Sequence, residues 1–348
     1  MMNHLSRIRR PLSGTVKFML SLCLVSPGFL AVPSFPVKNP DHAMNLASHI
    51  AAAAPSNESV APESLRRFTA DTISKLSEQT PFHSWAGAST SMEPLGPGTR
   101  SWLVTIYRPS NASSASSSPV QIGYLIISAA PQGMYKLIEY GTGPDSLYST
   151  NAASDPNVVA GSSLTIMPVY GGPLLAAWRV TDGNSSSTKA SSAEYLDAQS
   201  GEVLPENDKT WNLQSGKYAP PSGAYGSDNA VALFPGNAIV VGEYFNPYDN
   251  ILWMASDAER LTPEDALTAL DQKHSLVFAA SGNDRTYRFP LPIYGYQAWN
   301  ASFASTEPAT DTATAPAVYV LTGNGEGSSS RWISLDAIAD GGSFNPLP

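Results

Sequence analysis

Gly123-Tyr124-Leu125-Ile126-Ile127-Ser128-Ala129, Lys136-Leu137-Ile138-Glu139-Tyr140-Gly141-Thr142-Gly143 and Ala193-Glu194-Tyr195-Leu196-Asp197-Ala198-Gln199-Ser200-Gly201-Glu202-Val203-Leu204 are the pieces of the chain that decide its fold. Each is a short run of β-branched, aromatic and aliphatic residues ended by Gly, Ser or Asp, which is the pattern of antiparallel strands joined by turns. Their glycines read as turns and their aromatics as core, and Asp197 to Glu202 reads as a strand-ending turn. Gly141-Thr142-Gly143-Pro144 lacks the Lys-Ser/Thr and the helix start that a phosphate loop needs, so it reads as a β-turn.

Working outward, Glu63 to Glu78 places Leu65, Phe68, Ile73 and Leu76 on one helical face. Phe82 to Ala86 and Arg100 to Tyr107 read as strands around a Pro/Gly loop, and the serine tract from Pro109 to Pro119 reads as a loop. Strands follow at Val120–Ser128, Tyr135–Tyr140, Leu164–Tyr170, Leu174–Val180 and Ala193–Asp197. Residues 206–229 are polar, rich in Gly and Pro, and read as a linker. Beyond it, Ile239–Tyr244, Ser275–Ala280, Tyr287–Tyr296, Ala317–Leu321 and Arg331–Ile333 read as strands, and a short helix at Leu335–Ala339 is stopped by Gly341-Gly342. Thr262 as N-cap, Pro263 at the first position and acids in the first turn predict a helix to Gln272.

The chain of 348 residues is long enough for two domains. Its charged fraction of 14% is well below the usual quarter, and its net charge of −9 argues against a nucleic-acid partner. Cys23 is the lone cysteine, so disulfide, zinc-cysteine and thiol chemistry are not expected of the folded part. Arg7, Arg9, Arg10 and Lys17 precede the apolar run Phe18 to Val32, so residues 1–43 read as a signal peptide or an N-terminal anchor, with an Ala-rich lead-in at 44–61. The protein is therefore expected outside the cytoplasm, secreted or at the cell envelope, touching membrane only through that segment if it stays uncleaved.

No catalytic, cofactor-binding or metal-binding residue is expected. His83 and His274 lie outside the leader, but neither comes with a Gly-x-Ser-x-Gly elbow, and no His or Asp spacing matches a metal site. Asp257, Glu259, Glu264, Asp265 and Asp271 sit around a helix start, where acids complement the dipole. Glu139 is the one strand acid that qualifies for carboxylate chemistry. Of the tryptophans, Trp211 in the linker and Trp299 near a loop are the candidates for ligand contact.

The segment Ala193 to Leu204 resembles the closing strand and turn of PepSY-type modules, an aromatic strand ending in Asp-Ala-x-x-Gly-Glu. Gly123 to Ser128 with Leu137 to Gly141 resembles the paired strands of streptopain-type propeptide and inhibitor domains, and the whole chain resembles exported proteins of Bacillus-like bacteria. The resemblance covers residues 60 to 205 and implies a module that binds or restrains a peptidase; it transfers no site residue. The expected fold is α+β, an antiparallel sheet packed on a helix (PepSY-like or cystatin-like) over 62–205, then the linker 206–229, then a smaller mixed α/β C-terminal unit over 230–348. The expected function is non-catalytic binding of a secreted peptidase or another envelope protein. The alternatives are an extracellular hydrolase acting on cell-wall or carbohydrate material through loop carboxylates, and a purely structural envelope protein.

Overall fold

Helix α1, Glu63–Ser77, buries Leu65, Thr69, Thr72, Ile73 and Leu76 along one face, with Glu63 in its first turn and Lys75 in its last. The computed structural model describes residues 61–96, 100–108, 119–129, 134–144, 147–148, 164–182, 193–218, 233–254, 260–280, 289–301, 317–323 and 329–347. The leader, most of the Ala-rich lead-in, the serine tract, Asp257 and Glu259 lie outside these residues. Every described residue belongs to one compact unit.

Where a strand is expected after α1, the chain makes a 3-10 turn, Phe82–Trp85. Residues three apart eclipse in that geometry, so Phe82 and Trp85 point the same way and are both buried. Four antiparallel strands follow: β1 Ser89–Leu95, β2 Ser101–Tyr107, β3 Gln121–Ala129 and β4 Tyr135–Thr142. β5 Leu164–Tyr170, β6 Ala176–Asp182 and β7 Glu194–Asp197 form a separate three-stranded sheet.

The expected linker holds helix α2, Asp208–Tyr218. Asn207 starts it, its side-chain oxygen accepting from the Lys209 and Thr210 amides. Arg179 then forks onto Asp208 at 3.0 and 3.1 Å, and the Tyr195 hydroxyl donates to the same carboxylate at 2.7 Å. Sequence periodicity misses α2 because it is mostly solvated, with Trp211 its one large buried side chain among the described residues.

The remaining elements are β8 Leu233–Val240, two 3-10 turns at Pro247–Asp249 and Ile251–Met254, α3 Pro263–Asp271, β9 Leu276–Ala280, β10 Phe289–Ile293, β11 Gly295–Ala301, β12 Ala317–Thr322, β13 Ser330–Ser334, α4 Leu335–Ile338 and β14 Gly342–Pro346. Thr262 caps α3 as expected, accepting from the Asp265 amide. The apolar run expected as one strand across Tyr287–Tyr296 is divided between β10 and β11, which join different sheets.

The central feature is an eight-stranded antiparallel sheet in the order β1-β2-β3-β4-β13-β12-β11-β8. β4 pairs with β13, so the two spans expected as separate domains, 62–205 and 230–348, contribute to one sheet. One face of that sheet packs against α1 through Val104, Ile106, Leu125, Leu137, Tyr140, Tyr319 and Trp332. The other face is covered side by side by the β5-β6-β7 sheet, against Tyr124, Ile126 and Ile138, and by the β10-β9-β14 sheet with α3 and α4, against Val320 and Ile333. The fold is a sheet-dominated α+β arrangement with the eight-stranded sheet as its middle layer.

Every edge strand but β7 carries a proline: Pro94 in β1, Pro235 in β8, Pro168 in β5, Pro290 and Pro292 in β10, Pro346 in β14. Proline has no N–H to give a foreign strand, so it blunts an edge at no cost when its nitrogen faces outward. The free side of β7 is covered by its own chain, which returns to pair Leu196 with Val203.

Candidate functional site

The site lies where β3, β4 and β13 meet, and a β-bulge creates it. Ile126 pairs with Glu139 but Ile127 pairs with Leu137, leaving Ile138 as the extra residue. Strict alternation would put Glu139 on the α1 face with Leu137; the bulge turns it to the opposite face, and Tyr140 joins the α1 core instead.

On that face Tyr124, Gly141, Arg331 and Thr322 stand in one row across four strands, each in register with the next. Glu139 lies one row along, diagonal to both Tyr124 and Arg331. Gly141 leaves the space between them: a Cβ there would run into the Tyr124 ring and come within 2.6 Å of the Ser330 carbonyl oxygen. A glycine expected to turn the chain thus sits inside a strand and lets the flanking side chains converge.

Glu139 is 0% exposed. Its Oε1 accepts from Arg331 Nε at 2.7 Å and from the Tyr124 hydroxyl at 2.6 Å. Its Oε2 accepts from Arg331 Nη2 at 2.9 Å and from the Tyr170 hydroxyl at 3.5 Å. Arg331 Nη2 also donates to the Pro173 carbonyl at 2.7 Å, which ties the β5–β6 connection to the main sheet. Burial opposes the Arg331 charge, but the Glu139 carboxylate overcomes it and holds the guanidinium above its ordinary pKa. Burial, reinforced by Glu139, pushes the Tyr124 and Tyr170 phenols well up, so both serve as neutral donors.

Above this network lies a cleft of about 700 Å³, lined by the main sheet, the Asp197–Pro205 turn, β10 and residues 244–248. Arg331, Tyr124 and Thr322 belong to its floor; Asp197, Glu202, Tyr244 and Tyr248 belong to its walls and rim. Thr322 is 1% exposed, and its Oγ1 is buried without a hydrogen-bond partner. Asp197 staples its turn through Oδ1, which accepts from the Gln199 and Ser200 amides and the Ser200 hydroxyl.

The structure corrects both tryptophan candidates. Trp211 is 1% exposed and stacks on Tyr195 with ring centroids 5.0 Å apart. Trp299 is 5% exposed, lies against Tyr140 and Tyr319, and donates Nε1 to the Tyr140 hydroxyl. Neither offers a ring face to a ligand; each was buried by partners distant in sequence. His83 bonds the Ser77 carbonyl and Thr80 at the end of α1, and Asp271 accepts from the Tyr296 hydroxyl. Among the described residues no three His, Cys, Asp or Glu side chains gather as metal ligands, and no helix is long and apolar enough to cross a membrane.

Arg331, Tyr124 and Thr322 escape a search for motifs. The available signal was Glu139 and Arg331 themselves, lone opposite charges in the apolar runs Leu137–Tyr140 and Arg331–Ile333. No protein-family model, curated protein or solved structure matches the chain.

Proposed function

We propose that this protein is an exported, non-catalytic binding protein that receives a segment of a partner polypeptide, a secreted peptidase or another envelope protein, in the cleft above Glu139 and Arg331. The observation that carries the reading is the saturation of Glu139: the acid beneath the cleft accepts four hydrogen bonds and has no lone pair aimed at a substrate. A general base or nucleophile needs one. Among the described carboxyls, the one that burial raises is Glu93, which sits on β1 and does not line the cleft. The prolines on the sheet edges disfavour strand addition and leave a concave site as the way to engage a chain.

The succession α1-β1-β2-β3-β4, with the helix on one face of an antiparallel meander, supports the PepSY-like or cystatin-like reading of this part of the chain. Export rests on the basic and apolar leader. The test is a titration of purified full-length protein against secreted serine, cysteine and metallopeptidases, reading residual activity and direct binding. Saturable binding to at least one, weakened by a bulky substitution at Thr322 in the cleft floor, is the expected result. Release of reducing sugar or peptide from cell-wall material, abolished by Glu139→Gln, is the result that overturns it in favour of a hydrolase.

A further inference from the structure

Resting on that reading, we infer that the cleft selects an extended segment carrying a lysine or arginine flanked by apolar residues. The charge balance is the first reason. Among the described residues that line the cleft, Arg331 is the cation and Glu139 beneath it cancels its charge, so Asp197 and Glu202 leave that described lining acidic. Asp197 lines the cleft and is held in place by its turn bonds to Oδ1, while its Oδ2 takes no bond among the described residues, so it can meet a ligand at little entropic cost.

The second reason is Thr322. A hydroxyl at 1% exposure without a partner costs free energy that an incoming donor would recover, and it stands in the same row as Arg331 on the cleft floor. The hydroxyl oxygen can accept from a lysine ammonium or an arginine guanidinium, both donor-only groups, and the choice of a cation over an anion rests on Asp197 and Glu202. Tyr244 and Tyr248 line the same cleft and offer ring faces for the stem and the charge.

The third reason is the rim. Tyr248, Ile251, Leu252 and Met254 are 60, 58, 59 and 55% exposed on the paired 3-10 turns. The turns are rigid: Asn246 and Asn250 side chains accept from the Tyr248 and Leu252 amides, and buried Trp253 donates Nε1 to the Pro247 carbonyl. Large apolar side chains presented on a fixed scaffold beside a cleft mark an interaction surface, and Tyr248 belongs to both. The partner therefore places its cation in the cleft and an apolar neighbour on this rim.

The experiment is fluorescence anisotropy of the full chain with labelled decapeptides alternating Leu with Lys, with Glu or with Ser. The Lys peptide should bind at least tenfold more tightly than the Glu peptide, with affinity falling as salt rises. Asp197→Asn, which keeps the Oδ1 acceptor of the turn, and Glu202→Gln, at an exposed position, should together remove that preference with the melting temperature unchanged. Ile251→Ser with Leu252→Ser should weaken the Lys and Ser peptides alike. Equal binding of Lys and Glu peptides overturns the charge selection while the polypeptide-binding cleft stands. Binding of none of the three overturns both.

Discussion

Replacing Arg331 by Met tests whether the Glu139–Arg331 pair holds the main sheet to the sheet that covers it. The substitution removes charge-assisted bonds of 2.7 and 2.9 Å to Glu139 and a 2.7 Å bond to the Pro173 carbonyl. Each bond of this kind contributes about 1.5–3 kcal/mol, and the Met side chain returns part of the loss by filling the site. Glu139, at 0% exposure, keeps only the Tyr124 and Tyr170 hydroxyls. Breaking one side of a buried pair typically costs about 3–5 kcal/mol because a charge is left uncompensated, and that is the loss expected for R331M. It is a large share of the roughly 5–15 kcal/mol of a folded protein. Glu139→Gln in the same background removes the stranded charge, so the double variant should be about 2–3 kcal/mol more stable than the sum of the single losses predicts. Urea unfolding followed by tryptophan fluorescence measures all three variants. A cost below about 1 kcal/mol for R331M, or strict additivity in the double variant, would falsify the claim that the pair acts as a unit.

Asp208 is held below the ordinary carboxylate range first by the Arg179 fork, against some desolvation, and then by the Tyr195 hydroxyl. A depressed carboxyl stabilises the fold above its unfolded pKa of about 3.9 and loses that contribution as pH falls through the folded value, so Asp208→Asn should cost up to about 1 kcal/mol at pH 7 and nothing at strongly acid pH. A pH series of urea midpoints decides it. Gly123→Ala should cost about 1–3 kcal/mol by overpacking, since a Cβ there would sit 2.5 Å from Trp85 Cζ2 and 2.7 Å from the Gly141 carbonyl oxygen; an unchanged melting temperature would show that Trp85 moves freely. Pro290→Val with Pro292→Val returns two N–H groups to the β10 edge, so light scattering on storage should rise while the unfolding midpoint stays in place.

Local pattern carries much of this fold and misses its joints for identifiable reasons. The face of α1, the Thr262-Pro263 start of α3 and the apolar runs of β2 to β7 are read from neighbours in sequence. The pairing of β4 with β13 joins residues 192 positions apart, and nothing local to Leu137–Tyr140 announces a partner at Arg331–Ile333. The bulge at Ile138 inverts the alternation that would otherwise assign faces to Glu139 and Tyr140. Trp299 looks like a loop-edge aromatic until the last strands of the chain bring Tyr319 against it and β4 supplies Tyr140.

The prolines are legible in the sequence: Pro168, Pro290 and Pro292 lie within runs that read as strands. Pro168 and Pro290 lie inside described strands, which central pairing would not tolerate, so each marks an edge before any pairing is known, and Pro346 ends the edge strand β14. With Pro94 in β1 and Pro235 in β8 they delimit all three sheets, β7 excepted. The same residues bear on function. Pro290 and Pro292 face one side of the cleft, with Pro173, Pro205 and Pro247 around it, so its walls are stiff and poor in N–H donors. A segment entering there cannot be held by a backbone ladder and has to be recognised through its side chains, which makes the acidic lining and the exposed rim at Tyr248, Ile251 and Leu252 the features that decide what binds.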